Sequence, residues 1–178
     1  MSQNWKNIGW MLLGVLIIIA GSQFSIDLNL KEVSIPITGQ SLVVLLVGFL
    51  LGRKWGSLAV FVYLLLGVLD FPVFAEGKFG WETFKKGSGG FLYGFLFAAY
   101  TVGILGDKGW GRNFAKSLIA MTLGTIIIIV FGVMHLSFLY GFEKALEYGF
   151  FPFWRGAVVK ILLGTIVAYG ITWLLNRK

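Results

Sequence analysis

Lys160 stands in the middle of an apolar run, FFPFWRGAVVKILLGTIVAYGITWLL, residues 150–175. An ammonium group at the centre of a bilayer costs about 2.5–3.5 kcal/mol on insertion scales, so it turns toward a bundle interior and takes a partner. Counted from Pro152 at about 1.5 Å per residue, Lys160 lies roughly 12 Å into its helix. Gly156 and Gly164, four residues to either side, share its face and leave room there for a neighbouring helix or for a ligand. Asp27 and Asp70 fall near span ends, and no Asp or Glu falls inside an apolar run at comparable depth. The missing counter-charge is one that an anionic small molecule would supply. The other reading is snorkelling, in which the long stem carries the charge up to the interface.

Polar groups elsewhere could complete such a site. Thr38 and Gln40, in VSIPITGQSLVVLLVG, sit at the start of an apolar run, and Gln40 can both donate and accept, as an amide- or ureido-like ligand requires. The plainer reading is a helix-start cluster, with Thr38 serving free N–H groups and Gln40 facing a partner helix. In FKKGSGGFLYGF (84–95), Ser88 is a possible helix cap, and Gly89 and Gly90 permit close backbone approach. Gly90 and Gly94 form a G-x-x-x-G pair, which is more often a packing face than a site. Tyr63 and Tyr93 are hydroxyls for which interhelical bonding is the simpler role. His135, late in a span, is a proton relay or a neutral ring bonded to a neighbour.

These residues need a membrane scaffold. Of 178 residues, 57% are hydrophobic and 13% charged, against about a quarter charged in soluble domains. Mean hydropathy is +0.84. The class is therefore an all-α integral membrane protein, one membrane domain over 1–178, with the lipid bilayer as its surroundings. Six spans of bilayer length are expected at 8–24, 36–52, 56–72, 89–105, 116–140 and 153–175. The second opens at Pro36, which suits a first helical turn. The basic N-terminal stretch with its apolar run lacks a cleavage-site pattern and reads as a retained first span. Lys6, Arg53, Lys54, Lys108, Arg112, Lys116, Arg177 and Lys178 fall on one side, against Lys31, Lys78, Lys85, Lys86 and Lys144 on the other. The excess puts both termini in the cytoplasm and the longer loops, 25–35, 73–88 and 141–152, outside. The net charge of +7 thus belongs to cytoplasmic loops and not to nucleic-acid binding. With no cysteine, one histidine and no phosphate-binding loop, the chain offers no thiolate, no metal site, no ATP site and no constellation of catalytic residues.

PITGQSLVVLLVGFLLGRKWGSLAVFVYLLLGVLDFPVF, GSGGFLYGFLFAAY and FFPFWRGAVVK together resemble the BioY family. The motifs P-x-T-x-Q-[ST], G-R-x-x-G, Y-L-L-L-G, P-V-F and [ST]-G-G-[YF] fall in the family's order over roughly residues 8–175. The resemblance implies a biotin-capturing S component of an energy-coupling factor (ECF) vitamin transporter in the cell membrane. It implies six helices, cytoplasmic termini and an outward-opening pocket, and no enzymatic activity. It also implies partners, a transmembrane coupling subunit and two ATPases that alone use ATP, although some family members are proposed to work without them. Lys160 matches the sixth-helix lysine that meets biotin's carboxylate, and Thr38 and Gln40 match the second-helix polar pair that addresses its ring. Tyr63, Ser88, Gly89, Gly90 and Tyr93 complete the implied substrate-binding set. The chain departs from the pattern at four places, one being Gly87-Ser88-Gly89-Gly90 where the family often has G-P-T-G-G. Ala157 stands where the family has Asp and Arg155 where it has Pro, adding positive charge on the pocket side. His135 stands where a Trp is frequent. The alternative these departures leave is an S component for another anionic acid such as lipoate; an alternative of a different class is a membrane subunit without a small-molecule ligand.

Overall fold

The computed structural model describes residues 3–26 and 37–176. Expectations that fall on Asp27, Lys31, Pro36, Arg177 and Lys178 lie outside them. The apolar runs fold as helices because hydrocarbon offers no partner to backbone N–H and C=O groups, so each segment must satisfy its own. The long helices are α1 (Gln3–Gln23), α2 (Gln40–Val68), α4 (Gly89–Asp107), α5 (Phe114–Tyr140) and α7 (Trp154–Leu175). These five are long and apolar enough to cross a membrane. The short helices α3 (Trp81–Lys85) and α6 (Phe142–Gly149) fall within two of the expected loops. A two-residue antiparallel ladder pairs β1 (Ser25–Ile26) with β2 (Ile37–Thr38).

The second and third expected spans are continuous in α2 and are divided inside it. Gly52 has φ +78° and ψ 175°, a backbone state essentially restricted to glycine. The chain reverses there. A Cβ on Gly56 would lie 2.7 Å from the Cα of Gly48, and at the far ends of the two arms Gln40 reaches Tyr63. The arms 40–51 and 53–68 therefore form an antiparallel hairpin. Asp107 closes the joint: its Oδ2 accepts the Arg53 N–H at 3.2 Å, and its Oδ1 occupies the place a Gly52 side chain would take.

The remaining helices pack on this hairpin through small residues. Gly14 and Gly21 of α1 lie against Val47 and Val43 of the first arm. Gly48 lies on Ala99 of α4, and Gly164 of α7 meets Leu42 and Met121. The G-x-x-x-G pair faces α5. A Cβ at Gly90 would overlap the Phe131 carbonyl and the His135 Cβ, and one at Gly94 would lie 3.1 Å from the Ile128 Cα. Gly90→Ala should accordingly destabilise the fold by about 1–2 kcal/mol through overpacking, read as a lower thermal midpoint in detergent. An unchanged midpoint would contradict this packing.

Gly111, just after α4, meets Thr172 near the end of α7. The start of α1, the Gly52 joint and the end of α7 thus lie at one end of the bundle. Ile18, Val44, Val60, Tyr63, Val102 and Met121 form its fully buried centre. Leu16, Phe61, Phe97, Ile126, Val130 and Ile166 point outward and are exposed. A helical surface of large apolar side chains wants hydrocarbon rather than water around it.

Candidate functional site

A cavity opens at the end of the bundle away from the termini, between the first arm of α2 and helices α4, α5 and α7. Phe74, Ala75 and Lys78 of the segment between α2 and α3 cover it, with Thr83 of α3. It offers about 90 Å³ to the centres of water molecules. Roughly 10–15 Å³ suffices for one water, so a small organic molecule has room. Phe74, Phe91, Phe95 and Phe153 supply aromatic walls, and the polar lining comes chiefly from Thr38, Gln40, Ser41, Ser88, Thr125 and Lys160.

The turn into α2 brings three of those groups together. Thr38 ends β2, and its Oγ1 accepts the Gln40 backbone N–H at 3.2 Å, serving one of the free donors at the helix start. Gln40 is buried and hydrogen-bonds across the hairpin to the Tyr63 hydroxyl at 2.5 Å. Ser41, the next residue, accepts a hydrogen bond from the Lys160 Nζ at 3.1 Å. The ammonium rests on the cavity wall, the placement that the internal reading of Lys160 expects. Among the described residues no carboxylate pairs with it. The ion pairs found there are Arg53–Asp107, Lys78–Glu76 and Lys85–Glu82.

Thr38, Gln40, Ser88 and Lys160 of the expected set line the cavity, whereas Tyr63, Gly89, Gly90 and Tyr93 do not. Tyr63 lies behind the wall, fully buried. Gly89 abuts the Phe84 carbonyl and Gly90 abuts α5. Tyr93 is 38% exposed and packs its ring against Phe84 and His135. Ser88 occupies the cap position of α4 but its side chain makes no capping bond, which corrects that expectation. His135 lies 3.1 Å through Nε2 from the Lys86 carbonyl, and since a carbonyl only accepts, the ring donates; it ties α5 to the end of α3. Arg155 lies in the first turn of α7, at the cavity end. It is exposed, with its guanidinium 5.4 Å from the Trp154 ring centroid, and does not line the cavity. Ala157 does line it, one turn before Lys160.

Sequence reasoning missed Ser41, Lys78, Thr83 and Thr125 on the wall. Ser41 carried the one usable signal, because it follows Gln40 in the P-x-T-x-Q-[ST] run and an unpaired ammonium needs an acceptor. Nothing local distinguishes Thr125 from Thr122, since both hydroxyls bond back to a carbonyl four residues earlier.

Apolar outer faces, five long helices and an internal cavity with an ammonium on its wall define a multi-pass helical membrane protein with room for a small molecule. Comparison with known proteins supplies the family. The family model for BioY matches residues 1–177, and the chain belongs to the BioY family. It is 35% identical to a biotin transporter BioY of Thermotoga maritima over 153 residues, covering 85% of this chain and 87% of that one. It is 31% identical to a probable biotin transporter BioY of Pyrococcus horikoshii, over 92% of this chain and 94% of that one. Its fold is that of the crystal structure of an S-component for biotin from an ECF-type ABC transporter, with a TM-score of 0.84 at 24% identity, covering 96% of this chain and 94% of the other.

Proposed function

We propose that this chain is the membrane substrate-binding component of a biotin uptake system in the cell membrane. The observation that carries the reading is Lys160, an ammonium on the wall of a small aromatic-lined cavity, hydrogen-bonded to Ser41 and without a carboxylate partner among the described residues. Biotin brings a carboxylate for that ammonium and a ureido ring for the polar groups at the start of α2. The family membership, and relatives named as biotin transporters along nearly their full length, support the same ligand.

In this reading the chain is one membrane domain of six spans, the two arms of α2 counting separately, with both termini in the cytoplasm. The cavity then opens outward. Biotin enters under the 74–78 segment, its carboxylate takes up Lys160, Thr38 and Gln40 hold the ring, and Ser88 lies on the opposite wall. Release to the cytoplasm follows reorientation driven by an ECF coupling subunit and its two ATPases. The chain itself performs no chemistry on the ligand and uses no cofactor.

Titration calorimetry of the purified protein tests this. One biotin should bind per chain, tightly, and lipoate should compete poorly because it has no ureido edge. Absence of heat at about micromolar protein would remove biotin as the ligand.

A further inference from the structure

Tyr63 was expected at the ligand, and the fold puts it one layer behind. Its hydroxyl is fully buried beside the Ser22 hydroxyl; it accepts from the Gln40 Nε2 at 2.5 Å and donates to the Val73 carbonyl at 3.2 Å. A carbonyl oxygen has lone pairs only, so the Tyr63 proton is directed to Val73. The phenolic oxygen can then only accept, and Gln40 must present its NH2 to it. The same carbonyl accepts the Ser22 hydroxyl of α1 at 2.6 Å, and Gln23 donates to the Ser22 oxygen at 2.9 Å and toward the Phe74 carbonyl at 3.4 Å. Tyr63, Ser22 and Gln23 thus all reach the backbone carbonyls of 73–74, in the segment that covers the cavity, while Ser22 and Gln23 also lie within reach of the Ile19 carbonyl of their own helix.

The two ends of a carboxamide point apart. With Nε2 held behind the wall, Oε1 is the end of Gln40 left for the cavity, and no described residue donates to it. We infer that Tyr63 is a positioning residue that locks the Gln40 amide with its oxygen toward the ligand, so that the site selects a ring edge carrying an N–H. Thr38 adds the complement. Its Oγ1 already accepts the Gln40 backbone N–H, which leaves its own proton to donate. An acceptor beside a donor fits the N–H and C=O of a cyclic urea or lactam and disfavours an edge that offers only acceptors.

This inference rests on the biotin reading and deepens it. The test compares biotin with isosteric carbamate analogues in which one or the other ureido N–H is replaced by oxygen. Wild type should bind the analogue that faces Gln40 about 100-fold more weakly than biotin, because two acceptors then oppose each other and neither has a donor. In Tyr63→Phe the amide is free to turn over. The gap should shrink to about tenfold or less, while biotin itself weakens only a few-fold. An equal gap in both proteins overturns the lock. Gln40→Glu reads the polarity without altering Tyr63: a carboxylate can only accept, so the preference for the N–H ligand should persist, and its reversal would overturn the assignment. Wild type that binds neither compound removes the biotin reading and this inference with it. An equal gap removes the lock alone.

Discussion

Lys160→Ala should bind biotin about 100-fold more weakly than wild type while folding as well or better. The loss is that of a charge-assisted pair on the wall of an aromatic-lined cavity, where removing one partner costs roughly 2–5 kcal/mol. Much of that cost is the ligand carboxylate left without a counter-ion, because among the described residues no second cation bonds Ser41 or shares the Lys160 position. Lys78 also lines the cavity, but its ammonium is engaged by Glu76 at 2.8 Å. Biotin amide, which carries no charge, should lose far less, so the ratio of acid to amide affinity should collapse toward unity. Calorimetry on the two ligands and two proteins gives the four numbers required. Equal losses for acid and amide would mean that Lys160 shapes the cavity without clamping an anion. Stability makes an internal control. The substitution removes a desolvated ammonium and leaves only the Ser41 hydroxyl short of a donor, so a collapse of the fold is not expected.

Gly52→Ala should lower stability by about 3 kcal/mol or more. Two costs add. The backbone state at φ +78° and ψ 175° costs a residue with a side chain of order 1–3 kcal/mol. The new methyl would also lie on the Asp107 Oδ1, forcing that carboxylate off the Arg53 N–H and leaving the first turn of the second arm short of an acceptor. Asp107→Ala isolates the second cost and should amount to about 1 kcal/mol. Gly9→Ala and Gly170→Ala are the matched controls. Nothing lies within 4 Å of a Cβ built at either, and both should leave the thermal midpoint unchanged or slightly raised. If Gly52→Ala melts with these controls, the hairpin does not depend on the joint described here.

Much of the fold was legible because its signals are local. The long apolar runs and the G-x-x-x-G face of α4 lie within single segments, and hydropathy and spacing report them directly. The boundaries of α4, α5 and α7 fall within about two residues of the expected ones, as helix ends commonly do. Hydropathy and charge place GRKWG in a short loop between two spans. That it is a tight reversal at Gly52, locked from a distance by Asp107, depends on a contact between residues far apart in the chain. Short helices α3 and α6 escaped notice because neither is long enough to show a period, and α6 places Ala145 and Tyr148 inward and Glu143, Lys144 and Glu147 outward over only two turns.

By itself the sequence determined that this is a helical membrane protein, placed an ammonium at mid-span and left it without an acid nearby, because hydropathy and charge belong to residues and not to contacts. The BioY motifs carried the family for the same reason. Which groups meet that ammonium and Gln40 follows from how the helices pack. The rotation of each helix about its own axis sets which side chains share a wall, and that rotation follows from glycine contacts between elements remote in sequence. It brings Ser41 to Lys160, turns Arg155 out against Trp154, and puts Tyr63 behind the cavity wall, where its hydroxyl meets Gln40 and the Val73 carbonyl.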